Sequence, residues 1–171
     1  MPDDLPQLVM ERPTLAALPA LVAPDGCALR SFAAGDEAVW VAIINEAFGF
    51  DHPAAWFHER LGDGHFRPER VWFVCVGDEP VATASAWLDP RRWDADTGVL
   101  HMVGARTAQR GRGLGRLACL AALWQMAAEG RTRARLLTDD FRLPAIRTYR
   151  SLGFAPLHTH ESHAERWARV V

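Results

Sequence analysis

The sequence predicts an α/β fold, a mixed sheet flanked by helices, on three observations. Short runs rich in Val, Leu, Ile and Phe recur between segments whose apolar residues fall at helical spacing. A glycine-rich loop, Gly111-Arg112-Gly113-Leu114-Gly115, stands between an apolar run at residues 99–103 and a long helical run from residue 117. A second helical segment, residues 145–152, stops at Gly153 before Phe154, the usual sign of a helix that ends and feeds a strand.

Taken in order, residues 1–27 are proline-rich without sustained periodicity, and read as an extension packed on a domain of residues 28–171. Within it, residues 8–10 suit a short strand and residues 15–21 a helical turn. Residues 28–32 suit a strand. Asp36 then looks like a helix N-cap, with Trp40, Ile43, Ile44, Ala47 and Phe48 at helical spacing and Gly49 as the stop. Residues 50–69 mix aromatics, His and Gly, with a short helix expected over 54–61; Trp56, Phe57 and His58 suit a buried face or a ligand wall. Residues 71–76 and 81–88 read as strands joined by Gly77-Asp78-Glu79-Pro80, a hairpin signal. Residues 98–105 form the fourth strand, 113–129 the third helix with Gly130 after it, and 135–138 the fifth strand. Pro144 suits a first helical position and Gly153 the position past the end, so a helix is expected over 144–152. Residues 154–158 and 166–171 are expected to close the sheet as strands.

Bulk properties bound the function. A chain of 171 residues suits one domain that buries roughly 70% of the surface exposed when unfolded. A net charge of −2 argues against non-specific attraction to nucleic acid. Cys27, Cys75 and Cys119 are widely spaced, without C-x-x-C, which fits a reduced cytoplasmic protein better than a disulfide framework or a zinc site. The first residues lack a basic, apolar leader, and no run approaches ~18 apolar residues, so neither secretion nor a membrane span is expected. The histidines of residues 158–166 match no familiar ligand spacing, and no metal is expected.

The glycine loop carries the chemistry. Glycine brings backbone N–H groups close to a ligand, and a helix N-terminus adds unpaired donors with partial positive charge. Together they make an anion cradle suited to phosphate, and Arg106, Arg110, Arg112 and Arg116 surround it. The dinucleotide fingerprint G-x-G-x-x-G would need glycine where Arg116 stands, and a Walker loop needs a lysine, which this sequence lacks throughout.

The order of elements, with R-x-x-G-x-G at Arg110, Gly113 and Gly115, resembles the GNAT superfamily of acyl-CoA-dependent N-acyltransferases. A second segment, Ala145-Ile146-Arg147-Thr148-Tyr149-Arg150-Ser151-Leu152-Gly153-Phe154, matches that family's A-x-x-x-Y-x-x-x-G-F pattern. The resemblance covers about residues 28–158. It implies a mostly antiparallel sheet whose fourth and fifth strands are parallel and splayed. It also implies acetyl-CoA as co-substrate and an amine acceptor. The pyrophosphate would rest on Arg110, Gly111, Arg112, Gly113, Leu114, Gly115 and Arg116, and the pantetheine arm along Met102, Val103, Gly104 and Ala105. Arg142 stands where the family often has an Asn touching that arm, and is carried as a candidate contact.

By the same resemblance, Tyr149 takes the position of the acid that protonates the departing thiolate. Three candidates remain for deprotonating the amine: His101, Glu46 and ordered water. The implied function is N-acetylation of a small or peptide amine by direct transfer in a ternary complex. The alternative is a non-catalytic acyl-CoA-binding or regulatory domain, which Arg142 in place of Asn favours. No nucleic-acid or membrane partner is expected; a homodimer is compatible with the sequence.

Overall fold

A computed structural model describes residues 5–170. Seven strands form one sheet in the order β2-β3-β4-β5-β6-β1-β7. They are β1 (Leu8–Arg12), β2 (Cys27–Ser31), β3 (Val71–Val76), β4 (Glu79–Trp87), β5 (Thr97–Ala105), β6 (Arg133–Thr138) and β7 (Ala155–Leu157). Among the described residues five α-helices accompany them: α1 (Glu37–Phe48), α2 (Trp56–Leu61), α3 (Leu114–Ala128), α4 (Leu143–Ser151) and α5 (His163–Val170). Every neighbouring pair is antiparallel except β5 and β6, which run parallel and are joined through α3, as parallel neighbours require. No helix among the described residues is long and apolar enough to cross a membrane.

Two apolar cores lie on opposite faces of the sheet. Leu117, Leu120 and Leu123 of α3, Ile146 of α4 and Trp167 of α5 join Leu8, Met10 and Leu136 on one face. Trp40, Ile43 and Ile44 of α1 and Phe57 and Leu61 of α2 join Phe73 and Val99 on the other. The helix ends follow local chemistry. Gly49 closes α1 at φ +72°, its N–H donating to the Asn45 carbonyl. Asp36 stands at the N-cap of α1, but its carboxylate accepts from the Ala33 N–H at 2.7 Å and pairs with Arg30 instead of capping.

Two elements differ from the sequence reading, and a third, the strand expected at residues 8–10, takes an interior place in the sheet. Residues 163–170 are a helix, not a strand over 166–171; Val171 lies outside the described residues. Its buried side chains, His163 and Trp167, are four apart, and Val170 continues that stripe, so the period is helical. Residues 15–21 form a turn followed by chain without regular structure, not a helical turn. Leu8–Arg12 is not peripheral: it lies between β6 and β7, antiparallel to both.

Candidate active site

The β5–β6 pairing is short. It runs from Thr97↔Arg133 to Val99↔Arg135 and stops. Beyond it, residues 136–138 of β6 pair with β1, and β5 turns away. The turn has a local cause. Thr83 faces Gly104 while Ser85 faces His101, so β5 spends one more residue than β4 across this stretch. That extra residue makes a bulge at Met102, whose φ is +48°, a conformation rare outside glycine. Bulges re-aim side chains and end pairing, and strained backbone gathers at functional sites. The result is a wedge-shaped cleft of about 780 Å³ between the two strands.

The glycine loop sits at the mouth of the wedge. Gly113 is the N-cap of α3 at φ +75° and opens on to the cleft with Gly111, Leu114 and Gly115. Arg110 and Arg116 line the same end, joined by Arg147 of α4. Arg116 donates from Nε to Ser151 Oγ at 3.1 Å, which orients it. Arg112 stands outside the lining; its guanidinium donates to Gln109. Met102, Val103, Gly104 and Ala105 form one wall. Gly104 also serves packing: a Cβ there would lie 3.1 Å from Ala47 Cβ and Ile44 Cδ1, so glycine lets α1 settle on β5. The opposite wall is residues 137–139. Thr138 Oγ1 is buried there without a partner among the described residues. A one-sided strand edge with an orphaned hydroxyl opposite, and an arginine-rimmed helix N-terminus beyond, fits a chain of amides ending in phosphates.

Tyr149 faces the cleft from α4, with its ring against Phe154. Burial, aided by Cys119, holds its phenol pKa well above the ordinary value, with Arg142 opposing. The hydroxyl therefore stays protonated across the working pH range, and the same burial makes it a weaker acid than a free phenol. The Cys119 thiol, also buried, is pushed up to about 12 and stays inert.

His101 lines the cleft on the face of the sheet that carries α1 and α2. Burial and then the charge of Arg60 lower its pKa to about 4, against a smaller opposing effect of Asp63. The ring is therefore neutral at physiological pH and weakly basic. Its folded pKa lies below the unfolded value of about 6.5, so the unfolded state binds more protons between about pH 6.5 and 4. Stability is therefore full above about 6.5 and falls as pH drops through this window, by up to ~3 kcal/mol. Thermal midpoints measured from pH 7 to 5 should decline, and His101→Gln should flatten the decline. An unchanged slope would remove His101 as its source.

Glu46 is committed elsewhere. Its carboxylate accepts the Thr107 backbone N–H and pairs with Arg106 at 3.2 Å. The Thr107 bond, more than Arg106, lowers its pKa. It ties the end of α1 to the loop after β5 and does not line the cleft. Arg142 lines the cleft at the start of α4, bonded to Asp139 at 3.1 Å and stacked 4.0 Å over the Phe48 ring. Sequence reasoning missed Gln7, Arg60, Thr138 and Asp139, all in the lining. Among the described residues, no group of three or more His, Cys, Asp or Glu side chains is placed to hold a metal ion.

The wedge, bulge and glycine loop coincide with a family match. The model described as acetyltransferase (GNAT) family matches residues 38–154. The chain belongs to the GNAT acetyltransferase family. Its GNAT relatives include a mycothiol acetyltransferase of Gordonia bronchialis, 34% identical over 81% of this chain and 46% of the relative. Another, from Thermobispora bispora, is 34% identical over 85% of this chain and 52% of the relative. The chain spans about half the length of these curated relatives. A GCN5-related N-acetyltransferase structure from Sphaerobacter thermophilus aligns with TM-score 0.71 and 26% identity over 90% of this chain and 50% of that one. The seven-stranded mixed sheet with its one parallel, splayed pair is the GNAT arrangement that the two motifs implied.

Proposed function

We propose that the chain moves an acetyl group from acetyl-CoA to a primary amine while both are bound. The observation that carries this reading is the wedge between β5 and β6, closed at one end by the Gly113 loop and faced by Tyr149. Acetyl-CoA supplies the activated acyl carbon and a thiolate leaving group. The α3 N-terminus, with Arg110, Arg116 and Arg147, binds and neutralises the phosphates. The free edge of β5 beyond Val99 orients the amide-bearing arm, and Thr138 Oγ1 gains a partner. A backbone N–H near Val103 stabilises oxyanion charge at the reacting carbonyl. Tyr149 holds the proton for the departing sulfur. His101, with its low pKa, and Glu46, already bonded, leave no strong side-chain base, so the amine loses its proton to water or sheds it on binding. Three unpaired cysteines support a cytoplasmic setting.

Tyr149→Phe should lower kcat about 10–100-fold, the lower part of the range for general acid catalysis, because a thiolate departs fairly well unaided. Acetyl-CoA affinity should stay within about twofold of wild type. Turnover equal to wild type would take Tyr149 out of the mechanism.

The deciding experiment is CoA-thiol release from acetyl-CoA across a panel of primary amines, with product mass. The names of the relatives make mycothiol-related amines the first to include. Arg142, drawn to Asp139 and Phe48 where the family often has Asn, favours the non-catalytic acyl-CoA-binding alternative. Acetyl-CoA binding without release for any amine would decide for that alternative.

A further inference from the structure

The cleft opens, on the face carrying α1 and α2, into a second cavity of about 330 Å³. The two share Gln7, Phe48, Arg60, Met102, Asp139 and Arg142, so an amine reaching the reacting carbon from this side crosses that junction. One wall is built of three rings. His52 lies on Trp56 with ring centroids 4.1 Å apart at 14°, and Phe50 meets Trp56 edge-on at 6.2 Å. Asn45 sets the loop in place: its side-chain amide donates to the His52 carbonyl at 2.9 Å and accepts the His52 N–H at 3.1 Å. The wall is thus built before a ligand arrives.

The opposing side carries two guanidinium groups, Arg60 and Arg142, and two carboxylates stand near them. Asp139 accepts from Arg142 Nε at 3.1 Å and from Gln7 Nε2 at 3.0 Å. The other nearby carboxylate, Asp63, accepts from the Trp87 indole at 3.2 Å and the His65 N–H at 3.0 Å. Arg60 lines both cavities and makes no hydrogen bond or ion pair among the described residues. It lines the same cleft as His101, so it stands on the side of the reacting end. One guanidinium without a partner among the described residues therefore stands beside a stack of rings.

We infer that the acceptor is an amino-acid-like molecule: its carboxylate is seated by Arg60, its side chain lies on the Phe50–His52–Trp56 wall, and its amine points at the junction. This deepens the acetyltransferase reading and rests on it. Arg matches a carboxylate with two parallel hydrogen bonds.

Matched ligands test this on the CoA-bound full chain by calorimetry: phenylalanine and leucine against their decarboxylated counterparts, phenethylamine and isoamylamine. The carboxylate-bearing member of each pair should bind at least about tenfold more tightly, and kcat/KM should follow. Arg60→Gln should erase the difference by raising KM for the amino acids, with the thermal midpoint unchanged because Arg60 is exposed. Equal or tighter binding of the decarboxylated amines, no binding by any of the four, or a preference that survives Arg60→Gln would overturn the inference. Acetylation of phenethylamine in preference to phenylalanine would sink this inference alone. Failure to bind acetyl-CoA at all would sink the acetyltransferase reading beneath it.

Discussion

Gly113→Asp should abolish useful acetyl-CoA binding, with a loss of at least about a hundredfold in affinity. Gly113 is the N-cap of α3 at φ +75°, and a Cβ there would meet nothing within 4 Å. Steric collision therefore plays no part. Two effects remain. A non-glycine residue in the left-handed region costs about 1–2 kcal/mol, and Asp is among the residues that tolerate it best. The larger effect is electrostatic. The carboxylate would occupy the place the phosphates need, satisfy the helix N–H groups itself and repel the ligand's charge. Loss of binding should therefore come without comparable loss of stability. Gly113→Asn separates the two effects, having nearly the same shape and no charge, and should lose far less. Calorimetric titration with acetyl-CoA reads all three proteins. Unchanged affinity in Gly113→Asp would mean that this loop does not hold the phosphates.

The features legible in the sequence were those set by neighbours along the chain. Gly113 needs a positive φ and sits between a strand and a helix, and both facts are local. The helix that carries Tyr149 is announced by Pro144 in its first turn and Gly153 after it. The features that were not legible depend on contacts between distant segments. His101 could be recognised as titratable, but its low pKa comes from burial and from Arg60, which only the packing of α2 against β5 brings near. Glu46 lies at the expected end of α1, yet its carboxylate is taken by the Thr107 N–H across the fold. Arg60 reads as one more exposed helical charge until the cavity it lines is seen. Residues 166–170 could be mistaken for a strand because Trp167 and Val170 alone do not reveal a period; buried His163 completes the helical stripe. The largest gap was β1, whose partners Thr138 and Leu157 lie far along the chain and leave no local mark.

Residues 28–171 expressed alone should lack a cooperative thermal transition and should not bind acetyl-CoA. β1 fills the place between β6 and β7, so its removal leaves two strands without a common partner and strips backbone donors and acceptors on both. Leu8, Val9 and Met10 are 0%, 3% and 0% exposed. Burying side chains of this size stabilises by ~1.5–3 kcal/mol each, so the three together weigh on the order of 5–9 kcal/mol. That rivals the whole stability of an ordinary domain, ~5–15 kcal/mol. Other ties go with it. Arg12 donates to the Leu152 carbonyl at the end of the Tyr149 helix, and Glu11 pairs with Arg135 at 2.6 Å. Gln7 leaves Asp139 with one partner fewer beside the acceptor cavity. The bared edge of β6 is a template for pairing with other copies, so the fragment should also aggregate. A synthetic peptide of residues 1–27 added in trans should restore both the transition and binding, since β1 joins the sheet through side-by-side strand pairing. If residues 28–171 melt sharply and bind acetyl-CoA without the peptide, the N-terminal segment is an appended extension, and the wedge is held open by β5, its bulge and β6 alone.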